Sequence, residues 1–121
     1  KELLTYLLFE MKDEGGYISS IKTLIDEAIA DINITNLYYA KKGLRKVLRN
    51  VTKMIRYSGN KQTEVEVLLH FCQALKQSSI DIHRSVQISN LYDRQIKKIK
   101  KAMSHLHEDL QADYELELEQ V

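Results

Sequence analysis

Between Asn36 and Tyr57 the chain carries seven basic side chains, Lys41, Lys42, Arg45, Lys46, Arg49, Lys53 and Arg56, and no acidic one. The chemistry that suits such a row is phosphate contact: fixed ammonium and guanidinium groups neutralise nucleic-acid phosphates and release the counterions condensed on them. Leu37, Ala40, Leu44, Val47, Leu48, Val51, Met54 and Ile55 recur in the same stretch at three- and four-residue steps. That spacing puts the apolar set on one side of a helix and gathers Lys42, Lys46, Arg49, Lys53 and Arg56 into one stripe on the other. These five are the candidate interaction surface. A second basic cluster, Lys97, Lys98, Lys100 and Lys101, can share a patch with them if two helices lie side by side. The competing explanation is a solvated helix face that balances acidic surface of the same protein. Net charge is only +1. No recognised DNA- or RNA-binding motif is present, and Tyr38, Tyr39 and Tyr57 lie at the ends of the helix rather than along its basic face.

Other chemistries have weaker support. His105 and His107, with Glu108 and Asp109, raise the question of a metal. Two positions apart on a helix, however, side chains point about 200° from each other, and the His-Glu-x-x-His spacing of a helical zinc site is absent. Surface or boundary histidines are the expectation, with no metal. Cys72 and His70 are likewise two apart and face away from each other. Cys72 sits with Leu68, Leu69 and Leu75, the setting of an inert structural thiol. Asp26-Glu27 and the acidic C-terminal residues offer carboxylates, but ordinary solvated charge accounts for them, since general acid–base work needs a cleft. Gly15-Gly16 is a helix terminator, not a phosphate cradle.

The elements that would carry these residues are all helical. Proline is absent and there are four glycines, so a chain rich in Leu, Lys, Glu and Ala meets few breakers. Leu3, Leu4, Leu7, Leu8 and Met11 predict a helix over 1–14, closed by Gly15-Gly16. Ser19 or Ser20 is a cap for a second, with Ile21, Leu24, Ile25, Ala28, Ile29 and Ile32 as its buried face. Asn33-Ile34-Thr35-Asn36 reads as a turn, with Thr35 or Asn36 capping the third, basic helix, which stops at Ser58-Gly59-Asn60. Gln62 or Thr63 opens a fourth helix, Thr63 and Glu66 matching a capping box. Val65, Leu68, Leu69, Cys72 and Leu75, with Phe71 nearby, give it the widest apolar arc, so it is expected to be the most buried. Gln77-Ser78-Ser79 interrupts the pattern, and Ile80, Ile82, Val86 and Ile88 fit a short helix or an irregular connector. From Asn90, Leu91, Tyr92, Ile96, Ile99, Met103, Leu106 and Leu110 predict one long helix reaching Tyr114. Residues 112–121 form an acidic tail, read as a fraying helix end or a segment ordered by a partner.

At 121 residues the chain suits one domain with a single core, free of staples. Hydrophobic residues at 44% and charged residues at 29% exclude wholesale disorder. From His105 onward every charged residue is acidic: Glu108, Asp109, Asp113, Glu115, Glu117 and Glu119. A basic middle and an acidic end are self-complementary, within one chain or between two. One cysteine suits a reducing cytosol. No apolar run approaches the roughly 20 residues of a membrane span, and Lys1-Glu2-Leu3-Leu4 lacks the features of a signal peptide. The chain starts without Met and reads as a fragment of a slightly longer protein.

Tyr38-Tyr39-Ala40-Lys41-Lys42-Gly43-Leu44, followed by Ile55-Arg56-Tyr57-Ser58-Gly59-Asn60-Lys61-Gln62-Thr63-Glu64-Val65-Glu66-Val67-Leu68-Leu69-His70-Phe71-Cys72, resembles a bacterial family of helical proteins of unknown function associated with Bacteroidetes. In that family a lysine-rich helix is followed by a turn and an acidic-then-apolar helix. The resemblance spans about residues 36 to 76. It implies an all-α cytoplasmic bacterial protein and brings no activity, cofactor or site residue.

The sequence therefore predicts an all-α, compact bundle of about five amphipathic antiparallel helices, without catalytic apparatus or cofactor. The function expected of it is a structural or protein-interaction role, with a protein partner or a homodimer and no membrane. The stripe from Tyr92 to Leu110 resembles a short coiled-coil seam, and the acidic end is placed to dock on the basic stripe of a second subunit. The alternative is a nucleic-acid accessory protein using the basic face of the third helix.

Overall fold

The computed structural model describes residues 16–32 and 36–121. They form α1 (Gly16–Ala30), α2 (Leu37–Ser58), α3 (Lys61–Gln77), α4 (Val86–Met103) and α5 (Glu108–Glu119). No strand occurs among the described residues. The chain is an all-α helical bundle. The expected helix over 1–14, the Gly15 half of its terminator and most of the turn at 33–36 lie outside the described residues; Gly16, the other half of that expected terminator, is instead the first residue of α1.

α2 has closed ends as well as an apolar face. The Asn36 side chain accepts from the Tyr38 N–H at 2.9 Å, satisfying one of the donors a helix start leaves open. At the other end Gly59 takes the left-handed conformation, φ 64°, and its N–H donates to the Ile55 carbonyl. One residue on, Asn60 caps α3 by accepting from the Gln62 N–H at 2.8 Å. Two caps back to back leave room for only a two-residue turn, so the chain changes direction sharply between α2 and α3.

α3 is the centre of the bundle. Its buried residues are Thr63, Val65, Val67, Leu68, Leu69, Phe71, Cys72 and Leu75, on more than one side of the helix. α4 and α1 make its most extensive contacts, with α2 and α5 against it as well. Ile21, Ile25 and Ile29 of α1, Ala40, Leu44, Val47 and Val51 of α2, and Ile88, Leu91, Ile99 and Ala102 of α4 join it in the core. A Cβ added to Gly43 would sit 3.0 Å from Ile32 Cγ1, so the missing side chain lets the end of α1 approach α2 closely.

Four local expectations are corrected. α1 begins at Gly16, so Ser19 and Ser20 lie inside the helix rather than at its cap, the Ser19 carbonyl accepting from Thr23 Oγ1 at 3.1 Å. Thr63 does not cap α3; it lies buried within it, 4% exposed, because Asn60 already occupies the capping role. Its supposed capping-box partner Glu66 instead accepts from the Tyr114 hydroxyl. The segment 78–85 takes the second of its two expected forms, an irregular connector, pinned by the Ser78 hydroxyl, which donates to the Leu75 carbonyl and accepts from the Ile80 N–H. α4 then starts at Val86, four residues before Asn90.

The fourth correction is the largest. The helix expected from Asn90 to Tyr114 is two helices, α4 and α5. Ser104 Oγ donates to the Lys101 carbonyl at 2.6 Å, and His105 and Leu106 N–H groups bond three residues back, tightening the last turn. His107 is extended and caps α5, its Nδ1 accepting from the Asp109 N–H at 3.3 Å. Glu108 and Asp109 then stand in the first turn of α5, where acidic groups suit the helix dipole. The seam from Tyr92 to Leu110 is consequently not a continuous outer surface: Tyr92, Ile99 and Met103 are buried in the chain's own core.

α5 returns alongside α3 as a helix rather than a frayed tail. Tyr114 is 4% exposed; its hydroxyl donates to Glu66 Oε1 at 2.8 Å and accepts from Gln62 Nε2 at 3.1 Å. Farther on, Lys76 Nζ donates to the carbonyls of Gln120 and Val121, and the Tyr92 hydroxyl donates to the Val121 carbonyl at 2.9 Å.

A candidate basic interaction face

α2 positions the cationic stripe as its spacing requires. Ala40, Leu44, Val47 and Val51 are buried, and Lys42, Lys46, Arg49, Lys53 and Arg56 are all exposed. From Lys42 to Arg56 the row spans roughly 20 Å at the helical rise, about one cation per turn. Among the described residues, Lys46, Arg49, Lys53 and Arg56 form no ion pair; the bridges present join Lys61 to Glu64, His70 to Asp26 and His107 to Asp109. The carboxylates of α5, Glu108, Asp109, Asp113, Glu115, Glu117 and Glu119, are exposed as well, and none pairs with the stripe.

Aromatic rings belong to the same face. Tyr38, Tyr39 and Tyr57 are 57%, 57% and 53% exposed, and at about 100° per residue all three fall within roughly 60° of the middle of the stripe. The Lys42 ammonium sits 5.3 Å from the Tyr38 ring centre, and Tyr38 meets Tyr39 edge to face at 5.4 Å. The tyrosines at the ends of α2 therefore stand on the basic face itself, contrary to the expectation that they lie apart from it.

The two basic clusters do meet. A cleft of about 360 Å³ is lined by Thr52, Ile55 and Arg56 of α2, Lys61, Glu64 and Leu68 of α3, and Lys98, Lys101 and Ala102 of α4. Arg56 belongs to both the stripe and the cleft. Lys61 went unmarked in the sequence, since it lies beyond the turn and matches neither cluster's spacing; only the packing of α3 against α2 and α4 brings it in.

The remaining candidates separate. Cys72 is fully buried, and desolvation pushes its thiol up to about 12, so it carries no thiolate near neutral pH. His70 turns away from it, Nε2 lying 2.8 Å from Asp26 Oδ1 and tying α3 to α1. His105 and His107 are exposed, and among the described residues no three His, Cys, Asp or Glu side chains gather as a metal site. No helix among the described residues is long and apolar enough to cross a membrane. The chain matches no family model, no curated protein and no solved structure.

Proposed function

We propose that the chain is a non-catalytic helical interaction domain whose working surface is the basic face of α2, and that this face holds nucleic acid by its phosphates. The observation that carries the reading is the row of exposed cations without ion-pair partners among the described residues, continuous through Arg56 with the cations of α4. Leaving like charges side by side costs free energy that a polyanion recovers. Exposed Tyr38, Tyr39 and Tyr57 on that face suit stacking with bases, the pattern of single-strand binders. The buried thiol of Cys72 and the family resemblance favour a bacterial cytoplasm as its setting.

Fluorescence anisotropy with single- and double-stranded oligonucleotides, at low and near-physiological salt, tests this. Binding should weaken steeply with salt and be lost in Lys46→Glu/Lys53→Glu; no binding at low salt retires the reading.

A second reading has its own support: the exposed carboxylates of α5 complement the stripe without meeting it inside the chain. A second copy would bring the two together reciprocally, as a two-fold dimer. Light scattering at low and high salt decides it, since a monomer mass at both sinks the dimer.

A further inference from the structure

We propose that the cleft between α2, α3 and α4 binds a nucleoside phosphate monoester, either a free nucleotide or the 5′-phosphorylated end of a strand. The strand source rests on the reading of α2 as a nucleic-acid surface; the free-nucleotide source does not.

Charge comes first. Arg56, Lys61, Lys98 and Lys101 face one carboxylate, Glu64, so four cations against one anion leave three positive charges around a single small cavity. Glu64 lies 3.6 Å from Lys61, and the other three cations have no ion-pair partner among the described residues. The position of Lys101 in the last turn of α4 complements that helix's dipole, which accounts for one of them. It does not account for Lys98, nor for the convergence of cations from three helices. A phosphate monoester carries about −1.5 to −2 charges near neutrality, whereas an internal phosphodiester carries one. A converging set matches the former, and the row along α2 matches the latter.

Size and lining come next. About 360 Å³ falls in the range of small-ligand clefts. Buried Leu68 and Ala102 form an apolar floor, Ile55 and Thr52 are half-buried beside them, and Glu64 and the Thr52 hydroxyl supply hydrogen-bonding groups. An apolar floor with few polar groups suits a flat ring; the cationic rim suits its phosphate.

The test uses the whole chain and two probes. Adenosine monophosphate is titrated calorimetrically against adenosine as control. In parallel, 3′-labelled oligonucleotides with a 5′-phosphate or a 5′-hydroxyl are compared by anisotropy. Both are repeated with Lys98→Gln/Lys101→Gln and Lys46→Glu/Lys53→Glu, whose folding is checked by thermal melts. The expected result is a phosphate-dependent gain of about tenfold in at least one probe. Lys98→Gln/Lys101→Gln abolishes that gain, and Lys46→Glu/Lys53→Glu keeps it in the mononucleotide probe, which does not depend on α2. A gain confined to the mononucleotide identifies a free nucleotide as ligand, and one confined to the strand identifies its end. Equal binding with and without the phosphate in both probes, or a gain that survives Lys98→Gln/Lys101→Gln, overturns the proposal. Failure of the α2 reading shows separately, as oligonucleotide binding that Lys46→Glu/Lys53→Glu leaves intact.

Discussion

Cys72 and Tyr114 show how burial decides the behaviour of single residues. The Cys72 thiol, pushed up to about 12 by desolvation, stays protonated at neutral pH. It should resist a maleimide at pH 8 in the folded protein and react stoichiometrically in denaturant, read by mass; fast labelling of the folded state would show that the core around α3 opens readily. Tyr114 holds two hydrogen bonds at the α3–α5 contact. Tyr114→Phe keeps the ring and loses both, so urea unfolding should show a loss of about 1–2 kcal/mol. An unchanged midpoint would mean that water replaces the bonds at no cost. The His70–Asp26 pair has an Asp side chain 57% exposed and adds well under about 1 kcal/mol. Sequence reading found Cys72 because Leu68, Leu69 and Leu75 surround it at helical spacing. It had no signal for the partners of Glu66 and His70, which sit 48 and 44 residues away.

Elements are set by their caps as much as by their apolar faces. Asn36, Gly59 and Asn60 bound α2 and open α3, and the stop at Ser58-Gly59-Asn60 was plain from residue type. Gly59 has φ 64° and open space where a Cβ would stand, so the effect of Gly59→Ala is backbone strain alone, about 1 kcal/mol of destabilisation. A thermal melt checks it; no loss would mean that the turn relaxes out of the left-handed conformation. The division between α4 and α5 was illegible for a definite reason. Met103, Leu106 and Leu110 keep steps of three and four across the break, so apolar periodicity runs on where the helix does not. What ends α4 is hydrogen bonding by Ser104 and His107, residues that helices also tolerate in their interiors.

At the scale of the molecule, α5 is fastened across the bundle by Tyr114 and by Tyr92, whose hydroxyl reaches the Val121 carbonyl. Desolvation by burial is the main cause that raises both phenols from 10 to about 12, helped at Tyr114 by its hydrogen bond to Glu66 and at Tyr92 by the nearby Cys72 and Asp93. Their protonated forms are favoured in the folded state, so this stabilisation is complete below pH 10. It is lost as pH rises toward 12, where the unfolded chain has already released its phenolic protons. Urea midpoints should therefore fall between about pH 10 and 12, less steeply in Tyr92→Phe/Tyr114→Phe. An identical slope in that variant would assign the alkaline loss to other groups.

Helix content, the tight turn between α2 and α3, the burial of α3 and the outward row of cations are all properties of local spacing and residue type, and the sequence alone determined them. The meeting of Arg56 with Lys61, Lys98 and Lys101, the return of α5 onto α3 and the burial of the would-be coiled-coil seam were decided only in the tertiary structure. Periodicity states which face of a helix turns inward. It carries no information about which other helix, many residues distant, arrives to cover that face, and cations on separate helices become one site only through that packing.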